Sequence, residues 1–398
     1  MCLLDKRSGA AQQVHSVLRI LVKAGWHAHA VHMTLTDGQS QYPISTIIDK
    51  RYADPSNHGK VIEFERQGIQ HHLFYTQNSN GQKLTQQEAQ KFIQVSQRTL
   101  QKIKPDVLIT YGKSSLFKAL MQVARTYCTN MVFFLANTTY ESPDIFQSFD
   151  QVLVNSRFSQ NHYKKKIGIQ SRVLPEALPP NVVIDPESVM AVNDPPNRRF
   201  GFITMINPCP QKGGTLFARL LDMAKRERPD WTFLAVEGRM TKEQWAQSGL
   251  DLAHQPNVFW IPNQRDMRRV YARTSIVLFP SFWEEAAGRV GIESSLGGIP
   301  VLASSHGGMP EMLNGAGFLF DIPQRCRENY GIIPSEQEVR PWLDTIALLM
   351  DDEYAYQEAS QRAIQCSVWQ HPEQVKSQVL KIFDDIYNGL IKVQPARM

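Results

Sequence analysis

Between Ser275 and Ser304 an apolar run, a proline stop, a polar loop, a helical stretch and a second apolar run follow one another, and that order leaves few folds open. Ser275-Ile-Val-Leu-Phe-Pro280 reads as a buried strand with a hard stop. Ser294-Ser-Leu-Gly-Gly-Ile-Pro-Val-Leu-Ala-Ser304 reads as a helix end closed by Gly297 and Gly298, then a second buried strand. Strand, loop, helix and strand in this order make a parallel α/β unit. Open sheets of this kind bind ligands outside the carboxyl ends of their strands, where the loop after Pro280 lies. A helix starting near Gly288 aims its unpaired N–H groups and the positive end of its dipole into the same crevice, so an anion is expected there.

Two carboxylates mark this segment. Glu285 hangs in the loop beside the bound group, and Glu293, in the second turn of the helix, is placed to accept hydrogen bonds from hydroxyls farther along the same ligand. A polyhydroxylated ligand carrying phosphate fits both. The spacing alone is also that of a solvated helix face. A second ligand loop opens the same half of the chain: the strand Phe200-Gly-Phe-Ile-Thr-Met-Ile206, then Asn207-Pro-Cys-Pro-Gln-Lys-Gly-Gly214, then an amphipathic helix from Thr215 to Arg226. Glycines between a strand and a helix let the backbone approach a phosphate closely, and Lys212 adds a full positive charge at that mouth.

The pattern Glu-x7-Glu, preceded by a strand and proline and followed by Gly-Gly-Ile-Pro-Val-Leu-Ala-Ser-Ser-His-Gly-Gly-Met-Pro-Glu311, resembles the signature of the family 4 (group 1) retaining glycosyltransferases of the GT-B fold. The resemblance covers most of the carboxyl half and, more faintly, the amino half. It implies an α/β protein of two Rossmann-like doubly wound domains facing each other across a cleft, moving a sugar from a nucleotide-diphosphate sugar to a hydroxyl acceptor. It implies catalytic roles for Glu285 and Lys212, to which Arg289 is added from this chain's own residues. Donor-binding roles fall to Glu293, Gly288, Val290, Gly213, Asn207 and Gly9. Glu285 positions the sugar hydroxyls, Glu293 the ribose, and Lys212 the diphosphate. The chain departs from the family at Asn207, where an arginine usually stands; Arg289, at a position apolar in most relatives, is a candidate replacement for that cation. It departs again at Asn137-Thr-Thr139, where many relatives have a histidine touching the sugar; a turn is the plainer reading of Asn137. His306 reads as a loop histidine.

A chain of 398 residues suits two domains of similar size. The expected division is 1–190 as an acceptor-binding domain, 198–365 as a nucleotide-sugar-binding domain, and 366–398 as a terminal helix crossing back onto the first. The polar, proline-bearing stretch from Asp185 to Arg199 reads as the linker. In the amino half, Val14 to Ala24, Lys91 to Ile103 and Phe117 to Tyr127 read as helices. The expected strands are Ala28 to Met33, Lys104 to Thr110, Asn130 to Ala136 and Gln151 to Ser156. Ser8-Gly-Ala-Ala-Gln-Gln-Val14 resembles the family's glycine loop, which relatives precede with a full strand. Met1 to Leu4 is too short for one, so either the true start lies upstream or the sheet is clipped.

The charged share of 20% and the hydrophobic share of 42% are those of a water-soluble globular protein. No apolar run reaches the length of a membrane span and the amino terminus lacks a signal-peptide core, so a cytoplasmic protein is expected. Five scattered cysteines with no Cys-x-x-Cys pair indicate neither a disulfide framework nor a zinc site. No Asp-x-Asp stands at a strand end, so no metal is required and no cofactor is expected beside the donor substrate. The net charge of +5 comes without a nucleic-acid recognition motif, and nucleic acid is excluded as a partner. Lys164, Lys165 and Lys166 read as a solvated helix face or, functionally, as a peripheral contact with anionic lipid beneath a lipid-linked acceptor. A glycan or small molecule is the other acceptor class. Of competing classes, a nicotinamide dehydrogenase lacks its Gly-x-Gly-x-x-Gly. A non-catalytic GT-B protein that binds nucleotide or a partner remains the alternative.

Overall fold

The computed structural model describes residues 2–5, 8–36, 43–46, 48–183, 199–248, 254–264 and 266–389. The chain forms two compact units, Met1–Ala177 with Pro372–Met398, and Leu178–His371.

Unit one holds two sheets. In the first, β1 (Ala28–Met33) runs parallel to β3 (Ile69–Phe74), which pairs antiparallel with β2 (Val61–Arg66). The β2–β3 hairpin turns on Gln67 and Gly68, whose φ angles of 57° and 77° are the two positive values a type I′ turn needs. The second sheet is parallel throughout, in the order β4 (Val107–Thr110), β5 (Asn130–Leu135), β6 (Gln151–Val154) and β7 (Arg172–Val173). Leu3 and Leu4 form a turn, in keeping with a stretch too short for a full strand, and among the described residues β1 and β4 each border a single neighbour.

One core ties these sheets to two helices. Ser8 caps Gly9–Lys23 by accepting from the Ala11 amide, and the helix buries Val14, Val17 and Leu21. Against them lie Val375, Val379, Ile382, Phe383 and Ile386, one stripe of the terminal helix Pro372–Tyr387, together with Ala30 of β1 and Val132 and Phe134 of β5. Each of the valine, leucine, isoleucine and phenylalanine side chains contributes about 1.5–3 kcal/mol by leaving water.

Unit two carries a single six-stranded parallel sheet in the order β10-β9-β8-β11-β12-β13. Its strands are β8 (Phe202–Ile206), β9 (Phe233–Val236), β10 (Val258–Ile261), β11 (Thr274–Phe279), β12 (Val301–Ser304) and β13 (Phe318–Phe320). One face packs Phe217, Trp231, Phe233, Trp245 and Trp342 with the helices Gly214–Glu227 and Glu336–Asp351. The other packs Val277, Phe279, Val301 and Ala303 against Met309 and Leu313. The strand order reverses between β8 and β11, which creates a switch point at their carboxyl ends.

The unit borders differ from the expected domain limits for a packing reason. Leu178 and Val182 already join Ala287, Ile292, Leu296 and Trp369 in a cluster of unit two, so the chain changes unit at Ala177 rather than in the linker. Residues 184–198, most of that linker, lie outside the described residues. Likewise 366–371 stay with unit two, where Gln370 donates to the Met312 carbonyl at 3.2 Å, and the return to unit one begins at Pro372.

Candidate donor-binding site

The switch point brings the two sequence-predicted loops together. β8 ends at Ile206, and the chain passes through the short turn Pro210–Lys212 into Gly214–Glu227. β11 ends at Phe279, and the chain passes through Ser281–Ala287 into the helix Arg289–Leu296. The amides of Phe282 and Trp283 both donate to the Gln211 carbonyl at 3.0 Å, which staples one loop to the other. Gly213 permits this approach: its φ is +84°, and a Cβ there would fall 2.0 Å from the Pro280 carbonyl oxygen. Gly288, at φ +83°, caps the second helix, and a Cβ there would meet the Met309 sulfur at 2.0 Å.

Four charged side chains stand on these loops and the helix that follows as two pairs. The Lys212 ammonium bonds to Oε1 of Glu285, with the two side chains 18% and 11% exposed. Ser281 donates its hydroxyl to the same oxygen at 2.8 Å, and the Gly308 amide donates to the Glu285 carbonyl at 2.7 Å. Arg289 reaches Oε1 of Glu293 at 3.5 Å, and Tyr271 donates its hydroxyl to Oε2 at 2.6 Å. Burial pushes the Glu293 carboxyl above its ordinary value, against the pull of Arg289 and Tyr271. The Tyr271 hydroxyl is raised well above its own ordinary value by the same burial and by Glu293. The helix Arg289–Leu296 begins without a side-chain cap, so its first amides complete a positive rim beside the pairs.

The remaining predicted residues have surroundings of their own. Val290 packs partly buried against Val277 and Met309, and Gly9 is exposed at the first turn of Gly9–Lys23 in unit one. The side-chain carbonyl of Asn207 accepts from the Arg239 amide at 2.7 Å. Its φ of +56° is one that asparagine tolerates and arginine resists, a local reason for the departure from the family. Asn137 accepts from both the amide and hydroxyl of Thr139, a turn, as its plainer reading held. His306 lies in the loop after β12, its imidazole held below the ordinary value by burial. Ser281 and Tyr271 escaped sequence reasoning. Ser281 was adjacent to the proline stop and therefore findable, whereas nothing local marks Tyr271.

The geometry has counterparts among known proteins. Residues 197–328 match the family model for group 1 glycosyl transferases. No curated protein matches the chain. Among solved structures, sucrose-phosphate synthase from Thermosynechococcus elongatus aligns with a TM-score of 0.69 at 15% identity, covering 96% of this chain and 94% of that one. Anabaena HepE in complex with UDP and glucose aligns with a TM-score of 0.62 at 16% identity, covering 96% and 98%. The pneumococcal O-GlcNAc transferase GtfA in complex with UDP and GlcNAc aligns with a TM-score of 0.59 at 12% identity, covering 82% and 69%. The chain therefore has the GT-B fold of two Rossmann-like domains, and the stretch of unit two from 197 to 328 is similar to group 1 glycosyl transferases.

Proposed function

We propose that the protein is a retaining glycosyltransferase of family 4 that moves a sugar from a nucleoside-diphosphate sugar to a hydroxyl acceptor. The observation that carries this reading is the meeting of Lys212, Glu285 and Ser281 at the switch point, with Arg289 and Glu293 on the adjoining helix. The family match over 197–328 and the nucleotide and sugar bound by HepE and GtfA support it.

In this reading the glycosidic bond loosens first, placing positive charge on the sugar ring and negative charge on the departing diphosphate. Lys212, Arg289 and the amides after Gly288 stabilise that diphosphate, and preorganised groups of this kind supply the largest share of such catalysis. The loop glycine Gly213 and the first-turn Val290 supply close backbone contact. Glu285, its Oε1 held by Lys212 and Ser281, keeps its other oxygen for the sugar hydroxyls, and Glu293 takes the ribose. The acceptor hydroxyl attacks from the face being vacated, so retention needs no protein nucleophile. With three sources of positive charge on the diphosphate, a divalent ion is not required. The acceptor is a glycan, a lipid-linked glycan or a small molecule, and a cytoplasmic enzyme meeting a lipid-linked acceptor would use the exposed Lys164, Lys165 and Lys166 on helix Arg157–Ile167.

Thermal shift with UDP, GDP and ADP, followed by transfer assays with the sugars of whichever nucleotide stabilises the protein, tests the proposal. Selective stabilisation with turnover is expected. Stabilisation without turnover across acceptors would instead identify a nucleotide-binding GT-B protein.

A further inference from the structure

Glu293 presents a problem that its own helix does not solve. Its side chain is 8% exposed, and its cation partner Arg289 stands at 3.5 Å, a long contact for a charge-assisted bond. The short bond comes from outside the helix, from the Tyr271 hydroxyl at 2.6 Å. Tyr271 ends the helix Arg268–Tyr271, immediately before β11, and is itself 0% exposed. A ligand therefore meets Glu293, not Tyr271.

We propose that Tyr271 is a positioning residue for nucleotide binding: by occupying Oε2 it fixes the carboxylate of Glu293 and leaves the remaining lone pairs for the ribose hydroxyls of a nucleoside diphosphate. The inference rests on the ribose-binding role proposed for Glu293. A carboxylate has about four lone-pair positions, so one phenol and one guanidinium leave acceptors for two ribose hydroxyls. Without the phenol the carboxylate is free to rotate toward Arg289. The charged and polar groups facing the Tyr271 hydroxyl are Glu293, Arg289 and Ser294, all on the helix Arg289–Leu296. Burial raises the Glu293 carboxyl while Arg289 and the Tyr271 hydroxyl lower it. Deleting the hydroxyl leaves burial less opposed, so Glu293 takes up its proton, and loses acceptor capacity, at a higher pH.

Calorimetric titration of UDP, GDP and ADP into wild type, Tyr271→Phe, Glu293→Gln and the double variant, across roughly pH 5 to 8, tests this. For the nucleotide that wild type binds best, Tyr271→Phe is expected to weaken affinity about tenfold. The acid limb of its binding should move toward neutral pH, and in the presence of E293Q the Tyr271→Phe change should add nothing. Equal losses with and without E293Q would show that the tyrosine acts only as packing and overturn the inference. So would a Tyr271→Phe profile matching wild type while E293Q weakens binding, an outcome that leaves the proposed function standing. Unchanged affinity in E293Q removes the ribose role of Glu293 itself, and the inference with it.

Discussion

Unit two keeps its strands in one sheet with a single reversal of order, while unit one divides its strands between a three-stranded and a four-stranded sheet. The two units also differ in where their buried charged and titratable groups cluster. In unit two one cluster gathers at the carboxyl ends of β8 and β11, as the pairs Lys212–Glu285 and Arg289–Glu293. In unit one a histidine cluster lies within the small sheet itself. There His32 Nε2 meets His71 Nδ1 at 3.0 Å, His29 Nδ1 meets His72 Nε2 at 3.2 Å, and His72 meets Glu63 at 2.9 Å. A continuous sheet with apolar faces fixes two loops accurately enough to hold opposed charges. A narrow sheet stitched by imidazoles is instead sensitive to the proton.

The largest effects should come from the loops of unit two. Glu285→Gln and Lys212→Ala are each expected to lower transfer by about a hundred- to a thousandfold, the loss typical of one preorganised transition-state contact, with the far-ultraviolet circular dichroism retained. Initial rates measure it, and wild-type rates in both variants would reduce these pairs to packing. Acidification should act first on unit one. Burial holds His32 well below its ordinary value and His71 at about 3, whereas an unfolded imidazole titrates near 6.5. Between those values the unfolded chain binds protons that the folded chain refuses, so stability rises with pH across the window and declines on acidification through it. Amide protection factors, corrected for the intrinsic exchange rate at each pH, should therefore fall in β1 and β3 at mildly acidic pH while β8 and β11 stay protected; parallel loss in all four strands would break the contrast. A smaller effect is expected at Asn207. Asn207→Ala should reduce stability by about 1–2 kcal/mol in urea unfolding, through the positive φ and the lost bond to Arg239. Asn207→Gly should lose less, because only the bond is removed. Smallest of all, chelation with EDTA should leave transfer unchanged; a loss restored by magnesium would revise the assignment of diphosphate neutralisation to Lys212 and Arg289.

What the sequence disclosed follows from how locally each feature is encoded. Pro280 and the paired glycines at 297 and 298 punctuate apolar runs, so β11, the helix Arg289–Leu296 and β12 were legible, and with them Glu285 and Glu293, as Lys212 was from the glycines after β8. The β2–β3 hairpin was missed because Gln67-Gly68 stands where Asn-Gly usually signals the turn. The unit border at Ala177 was not legible, since only tertiary packing shows that Leu178 and Val182 belong to the far cluster. The use of Asn207 as a clamp on Arg239 depends on a residue thirty-two positions away, which no local spacing reveals. Tyr271 is hidden for the same reason: its partner lies across a strand and a loop.

The one-to-one pairing of cations with carboxylates has a kinetic corollary. With Lys212 matched by Glu285 and Arg289 by Glu293, the four side-chain charges cancel in pairs, despite the chain's net charge of +5. An arriving polyanion is then not drawn in from afar, as it would be by a bare cationic funnel. Capture instead depends on exchanging partners at close range, so the association rate should be modest and nearly indifferent to ionic strength.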